Sequence, residues 1–219
     1  MKKNVPFMLD IVLLLCFPLL LAIFFIEEKV ITDNYVVIGC YLDNFIPFIP
    51  QFIFAYVLWY PVIVSPFFFF MKDKEDYRRY MYFLIIGFSV TLLIYRLFPN
   101  GQELRPVLPI SDSFSERLVG ILYSNDTNTN VCPSLHIILC IGVAAAVFHN
   151  KSYRLLQKYW MRILITFVLL LICASTVFLR QHSVIDVVSA FFLGGFIYLI
   201  CYRLLPPKAF QYEKYFNCI

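Results

Sequence analysis

Long apolar runs without a single charged side chain dominate this sequence. Residues 11–26, 44–71 and 163–179 are three such runs. Of the 219 residues, 61% are hydrophobic and only 15% are charged. A soluble domain of this size cannot hide that much apolar surface in one core, whereas a bilayer accommodates it. Because lipid cannot satisfy backbone polar groups, the spanning segments are expected to be helices. The sequence therefore predicts an all-α, polytopic integral membrane protein.

We predict six transmembrane helices that form a single transmembrane domain over residues 1–219. The charged segment 72–79 is predicted to be a turn, and apolar residues at helical spacing predict a surface helix over 114–123. The segment 99–132 is the longest polar one, and loops of this length are usually functional or disordered. The predicted spans cover about 11–26, 45–71, 80–98, 133–149, 163–179 and 184–205.

Basic residues are distributed unevenly around these spans. Thirteen of the eighteen Lys and Arg residues fall on the side that holds both termini. Because cytoplasmic loops carry such an excess, both termini are predicted to be cytoplasmic, and the loops at 99–132 and 180–184 to face outward together. The thirteen residues are Lys2, Lys3, Lys72, Lys74, Arg78, Arg79, Lys151, Arg154, Lys158, Arg162, Arg203, Lys208 and Lys214.

The net charge of +4 forms no cluster typical of nucleic-acid binding. The expected partner is the bilayer itself, and we predict a plasma-membrane location of the bacterial type with the active site facing outward. Gly194-Gly195, in the last predicted span, favours close helix packing, with a homodimer face as the alternative.

A polar loop runs directly into an apolar segment at Asn130-Val131-Cys132-Pro133-Ser134-Leu135-His136. Proline fits the first turn of a helix, so Cys132 or Pro133 is predicted to begin the fourth span. The free N–H groups of that turn would then form an anion site. Ser134 adds a hydroxyl there, and His136 adds a group that titrates near neutral pH.

A second polar stretch, Arg180-Gln181-His182-Ser183-Val184-Ile185-Asp186, opens the last span. His182 and Asp186 are four residues apart and would share one helix face, where a carboxylate orients an imidazole and raises its basicity. An acid within an apolar span needs a partner, so Asp186 is a functional candidate. A purely structural His–Asp pair at a helix start is the alternative interpretation.

Arg105, followed by Pro106, lies on the same predicted face of the membrane. A guanidinium is the natural bidentate ligand of a phosphate, although Arg105 alone also fits a lipid-headgroup or solvent contact. No set of Asp, Glu and His residues has metal-ligand spacing, and the seven cysteines form no Cys-x-x-Cys pair. The sequence therefore predicts neither a metal nor another cofactor.

These motifs, in this order, resemble the three signature motifs of the type 2 phosphatidic acid phosphatase superfamily. The resemblance covers about 95–205 and implies a six-helix membrane protein that removes phosphate from lipid phosphates without a metal, with its phosphatase-like core at about 80–205. By position, His182 would attack phosphorus and form a phosphohistidine, while Asp186 would orient it and His136 would protonate the leaving oxygen. Arg105, Ser134 and the start of the fourth span would hold the phosphoryl oxygens.

Two cations of the family's motifs are missing. Phe98 stands where the first motif has a Lys, and Thr176 stands where the third motif has an Arg. Arg180, one helical turn after Thr176, is predicted to replace that Arg as a phosphate ligand. The related sphingolipid and inositol-phosphoceramide headgroup transferases show a similar thinning of motifs. A phospho-headgroup transferase therefore stays an alternative to the phosphatase, with a non-enzymatic transporter or scaffold as the third.

Overall fold

The computed structural model describes residues 5–30, 34–71, 73–108 and 113–205, and most of them form α-helices. Of the basic residues used to predict orientation, Lys2, Lys3, Lys72, Lys208 and Lys214 lie outside the described residues. A π-helical turn, Leu199–Leu204, extends the last helix, and 3₁₀ turns at Tyr41–Phe45 and Pro50–Phe52 precede the second. The helices are α1 (Val5–Val30), α2 (Ile53–Val57), α3 (Trp59–Phe69), α4 (Lys74–Leu97), α5 (Phe114–Asn125), α6 (Leu135–His149), α7 (Arg154–Gln157), α8 (Tyr159–Phe178) and α9 (Val184–Tyr198).

Among the described residues, five helical segments are long and apolar enough to cross a membrane. The predicted fourth span corresponds to α6, an apolar helix of only 15 residues. At 1.5 Å per residue it is about 22 Å long, shorter than the roughly 30 Å hydrocarbon core. The helical membrane architecture is confirmed, whereas the count of six and the orientation stay predictions. The five segments are Met8–Val30, Pro50–Phe69, Lys74–Leu97, Tyr159–Phe178 and Val184–Leu204.

The short helix α6 lies at the centre of the bundle, packed against α3, α4, α8 and α9. Two glycines allow its closest contacts. A Cβ on Gly142 would lie 2.6 Å from Phe83 of α4, and one on Gly194 of α9 would lie 2.6 Å from Ile141. Gly194 thus serves the predicted close packing, whereas Gly195 faces open space. The homodimer stays a prediction.

The predicted turn at 72–79 is wrong, because α4 already begins at Lys74. Asp73 caps the helix by accepting the Asp76 N–H at 3.3 Å. The carboxylate of Asp10, in α1, lies 2.8 Å from Lys74 Nζ and 2.7 Å from Arg78 Nε. These basic side chains are therefore paired with another helix, and the charged segment is helical instead of a solvated turn.

The second predicted span is not one continuous helix over 45–71. After the 3₁₀ turn that ends at Phe45, helical structure resumes only at Pro50. Helix α2 then ends at Val57, and α3 begins after Leu58. Pro61 has no N–H to donate to the Val57 carbonyl, which explains the interruption at this point. The surface helix predicted over 114–123 is confirmed as α5.

Three connecting segments lie side by side at one end of the bundle. A two-residue strand β1 (Val36–Val37) pairs in parallel with β2 (Asn100–Gly101). Gly101 also forms an antiparallel bridge with Thr129. The segment after α4 is therefore held between the segment after α1 and the loop that leads into α6.

Candidate active site

Two histidines meet at this end of the bundle. His136 lies in the first turn of α6, and His182 lies two residues before α9. The distance between His182 Nε2 and His136 Nδ1 is 3.3 Å, which is within hydrogen-bond reach. The structure thus brings together two residues that the sequence singled out in separate motifs.

Asp186 is fully buried in the first turn of α9 and faces the other side of the His182 ring. Its Oδ2 accepts the Ser183 N–H at 2.8 Å and lies 3.4 Å from His182 Nδ1. A carboxylate at this position keeps a proton on Nδ1, so the lone pair of neutral His182 is at Nε2. The His136 ring is the group that this lone pair faces.

Ser134 is the N-cap of α6, which begins at Leu135. The prediction that Cys132 or Pro133 begins this helix is therefore wrong. The Ser134 N–H donates to the Asp186 carbonyl at 3.1 Å, which draws the residues before Leu135 away from helical geometry and links α6 to α9. The Ser134 hydroxyl is buried without a hydrogen-bond partner. Together with the first-turn N–H groups of α6, it is available to an anion.

Arg105 reaches the site from the connection between α4 and α5. One terminal nitrogen donates to the Asp126 carbonyl at 2.8 Å, and the other donates to the Thr127 carbonyl at 2.5 Å and to the side-chain oxygen of Gln181. The Arg105 Cζ lies 4.6 Å from the centre of the Tyr123 ring. Burial lowers the pKa of Arg105, although a guanidinium remains charged in proteins. Its Nε is buried without a partner.

A cavity of about 440 Å³ has His136, His182, Gln181 and Asp126 on its wall. The rest of its lining is mainly apolar and aromatic and comes largely from α1, α3 and α4. A few polar groups among apolar walls are typical of a site for an amphipathic ligand. The apolar and aromatic lining residues include Leu21, Phe24, Phe25, Trp59, Tyr60 and Phe88.

Asp126 places a carboxyl group on this cavity wall, where its Oδ2 accepts the Tyr56 hydroxyl at 3.1 Å. Burial raises the pKa of Asp126, and the charges of Arg105 and His182 oppose the rise. Its negative charge is therefore weaker than that of an exposed Asp at the same pH. In the part of the chain that the structure describes, His, Cys, Asp and Glu form no group of three or more that could hold a metal ion.

A family model described as the PAP2 superfamily matches residues 101–209. This range contains His136 and His182, which line the cavity, Asp186, which lies beside His182, and Arg105, which binds Gln181 on the cavity wall. The chain belongs to the PAP2 superfamily. PAP2 proteins are in general phosphatases, so membership supports a phosphatase-type activity in this membrane protein. No curated protein and no solved structure matches the chain.

The two residues that replace the PAP2 cations supply no positive charge. The Thr176 hydroxyl donates to the Cys173 carbonyl at 2.8 Å, within α8. Phe98 is the C-cap of α4 and is half-exposed. The basic side chains found at this site among the described residues are Arg105, which binds Gln181, and Lys29 of α1, which lines the cavity.

Arg180, which was predicted to replace the third-motif Arg of PAP2 proteins, binds a neighbouring loop. Its guanidinium donates to the Asp43 carbonyl at 2.7 Å and to the Ile46 carbonyl. The side chain of Asp43 in turn accepts from the Ser183 hydroxyl at 2.7 Å and the Val184 N–H at 2.9 Å. Burial alone would raise the pKa of Asp43, but hydrogen bonds outweigh it and lower that pKa. Arg180 does not line the cavity, and its role as a phosphate ligand stays a prediction.

Two aromatic residues of this PAP2 site were missed in the sequence. The Trp59 indole N–H donates to the His136 carbonyl at 3.2 Å, and the Trp59 and His136 ring centres are 4.6 Å apart. The Tyr56 ring centre lies 4.9 Å from that of His136. Both belong to the second predicted span, which the sequence did not connect with the site. No local pattern distinguishes the two that hold the histidine.

Two buried polar residues that the sequence analysis also missed hold the loop before α6. Glu28, at the end of α1, accepts the Thr127 N–H at 3.0 Å and the Asn130 side-chain N–H at 3.1 Å. Asn100 accepts the Cys132 N–H at 2.7 Å and donates to the Cys132 carbonyl at 2.9 Å. Because these contacts join residues far apart in sequence, no spacing rule reveals them. They fix the PAP2 motif that contains Ser134 and His136.

Proposed function

We propose that this PAP2 protein is a metal-independent lipid phosphate phosphatase that hydrolyses a phosphomonoester or diphosphate of a lipid. The observation that carries the proposal is the chain His136–His182–Asp186, whose two histidines lie on the wall of a cavity that is otherwise mainly apolar and aromatic. The polar wall would take the phosphoryl group, and the apolar walls would take the part of the lipid next to it.

The first step is attack by the lone pair of His182 Nε2 on phosphorus. The bond between phosphorus and the lipid oxygen breaks, and its electron pair goes to that oxygen. The imidazolium form of His136 gives the oxygen a proton, so the lipid alcohol leaves neutral. Because His182 Nε2 and His136 Nδ1 are only 3.3 Å apart, the incoming phosphoryl group has to separate the two rings.

The second step is hydrolysis of the phosphohistidine. Water attacks phosphorus and passes a proton to His136, and the electron pair of the P–N bond returns to His182 Nε2. Asp186 keeps the proton on His182 Nδ1 through both steps. Arg105, the Ser134 hydroxyl and the first-turn N–H groups of α6 stabilise the phosphoryl oxygens. Arg180 would act from outside the cavity, through the loop that it holds.

A phospho-headgroup transferase is the second candidate, favoured by the absence of both motif cations at Phe98 and Thr176. In that reaction a lipid or headgroup alcohol replaces water in the second step. The same histidines would act, but no inorganic phosphate would be released. The nature of the acceptor therefore separates the two candidates.

Release of inorganic phosphate from lipid phosphates in excess EDTA tests the proposed function. We expect purified protein in detergent to release phosphate from at least one of phosphatidate, phosphatidylglycerol phosphate, a polyprenyl diphosphate and a sphingoid phosphate. Turnover should persist in the chelator, because the proposed phosphate ligands are protein groups. Activity that is lost in EDTA and restored by a divalent ion would contradict the mechanism. A labelled headgroup transferred to an alcohol, without phosphate release, would favour the transferase.

We also propose that the active site faces outward, because the described basic residues at the opposite end include Lys74, Arg78 and Lys151. In a cysteine-free background, a cysteine at the exposed Ser124 position should react with an impermeant maleimide added to intact cells. A cysteine at the exposed Lys151 position should react only after the cells are opened. The reverse labelling pattern would place the active site in the cytoplasm.

A further inference from the structure

Gln181 directly precedes the proposed nucleophile, and only 2% of its surface is exposed. The chain turns sharply here, because the N–H groups of both Gln181 and His182 donate to the Thr176 carbonyl, at 2.9 and 3.1 Å. This turn fixes the Gln181 side chain beside the histidine. Both residues lie on the wall of the cavity.

The contact with Arg105 determines which way the Gln181 amide points. A guanidinium has only donors, so the side-chain atom of Gln181 that binds Arg105 has to be the oxygen. The amide nitrogen, Nε2, therefore points away from Arg105 and brings two N–H donors. It is buried without a hydrogen-bond partner, which is unusual for a polar atom in a folded protein.

Nε2 is one of three such buried donors on residues that contact this site, since Arg105 binds Gln181 and Ser134 binds Asp186. The Arg105 Nε and the Ser134 Oγ are also buried and without a partner. All three belong to residues in or beside the three PAP2 motifs. A phosphoryl group, whose oxygens accept several hydrogen bonds at once, would satisfy all three.

We propose that the Gln181 side-chain amide binds a phosphoryl oxygen, in place of the cation that PAP2 proteins carry at the position of Thr176. This inference rests on the proposed function. Arg105 has two roles in it, because it binds the phosphoryl group through Nε and holds the Gln181 amide in the orientation that presents Nε2. The site thus replaces a positive charge with a neutral donor next to the nucleophile.

Two substitutions of Gln181 test the proposal. Gln181→Glu keeps an oxygen for Arg105 but replaces the donor with a negative charge, whereas Gln181→Met keeps the length and loses both polar atoms. Binding of orthovanadate, a phosphate analogue, is measured in two ways. One is inhibition of turnover, and the other is titration of vanadate into the protein without substrate. We expect the vanadate affinity to fall by about ten- to a hundred-fold in both variants near neutral pH, the loss typical of a buried contact to a charged group.

The pH dependence separates a phosphate ligand from a structural residue. A protonated Glu carries an O–H donor and no charge, so the vanadate affinity of Gln181→Glu should recover relative to that of the wild type as the pH falls towards 5. Gln181→Met should show no such recovery. If Gln181→Glu does not fold, the loss of vanadate affinity in Gln181→Met still tests the proposal. Gln51→Glu adds the same charge at an exposed position before α2 and should bind vanadate like the wild type.

Three outcomes are decisive. Wild-type vanadate affinity in a folded Gln181→Met variant would overturn the role of Gln181 while leaving the phosphatase intact. A parallel, pH-independent loss in both variants would assign Gln181 a structural role only. A wild-type protein that neither hydrolyses lipid phosphates nor binds vanadate would overturn the proposed function, and this inference with it.

Discussion

Substitution of His182 by Ala abolishes turnover on every phosphate substrate, with an expected loss of at least about 10⁴-fold, as for other enzymes that lose a covalent nucleophile. The reason is geometric, since Asp186 lies beside Nδ1 of His182 and leaves the lone pair on Nε2, the nitrogen that faces His136. Rapid acid-free quenching of the wild type with labelled substrate should trap an acid-labile phosphoprotein. The His182→Ala variant should trap none.

The third histidine of the chain provides the matched control. His149 lies at the far end of α6, near Tyr198, and is remote from the cavity residues. His149→Gln should therefore keep near-normal turnover and a trappable phosphoprotein. If His182→Ala retained phosphoprotein formation, the nucleophile would have to be another residue.

Substitution of His136 by Ala should have an effect that depends on the leaving group. A general acid contributes about 10²–10⁴-fold and matters most when the leaving oxygen is strongly basic. A lipid alkoxide needs that proton, whereas a nitrophenolate leaves without it. We therefore expect His136→Ala to lose about 10²–10⁴-fold on a lipid phosphate and much less on nitrophenyl phosphate.

The comparison of the two histidine variants assigns their roles. His182→Ala should be inactive on both the lipid and the aryl substrate, because no proton donor compensates for a missing nucleophile. If the aryl phosphate instead rescued His182→Ala and not His136→Ala, the two roles would be reversed. Equal losses of His136→Ala on both substrates would mean that His136 acts by binding or positioning, like the Trp59 and Tyr56 rings that enclose it.

The core of the site could be predicted because its histidines and its acid lie in short sequence motifs. An acid in an apolar span needs a partner, and a histidine four residues away was the natural candidate. The contact does form, although His182 lies before α9 and meets Asp186 across the start of the helix instead of along one helix face. Predicting that His182 lies near His136 required two further arguments. These were the family resemblance and the distribution of basic residues, which placed both motifs on the same side of the membrane. The structure joins them across 46 residues of chain.

The orientation of long basic side chains could not be predicted from spacing. Arg180 lies one turn after Thr176, yet its guanidinium reaches the carbonyls of Asp43 and Ile46, more than 130 residues earlier. Gln181, the uncharged residue next to Arg180, was not predicted as a site residue because a buried amide has no distinctive sequence signal. A long charged side chain can reach several hydrogen-bond acceptors, and tertiary contacts determine which of them it binds.

Dependence on tertiary contacts also explains why the starts of the second and third predicted spans were placed incorrectly. Lys74 and Arg78 belong to the segment that was predicted to be a turn, but in α4 both pair with Asp10 of α1. The interruption at Leu58 follows from Pro61, which has no N–H for the Val57 carbonyl. Local rules locate helices well, whereas their ends depend on caps and partners elsewhere in the chain.

The position of α1 in the cavity wall bears on how the ligand preference of this protein can change in evolution. Helix α1 ends 71 residues before the region that matches the family begins, yet it contributes Leu21, Phe24 and Phe25 to the cavity wall. Its Glu28 also binds Thr127 and Asn130, in the loop that carries the second motif.

Under the proposed function, part of the wall that would contact the lipid is encoded outside the stretch that carries the proposed catalytic residues. Substitutions of Leu21, Phe24 or Phe25 would then reshape this wall without altering either histidine, provided that Glu28 is kept. In a lipid phosphatase of this kind, α1 would be a segment through which a new lipid preference evolves at little cost to the reaction.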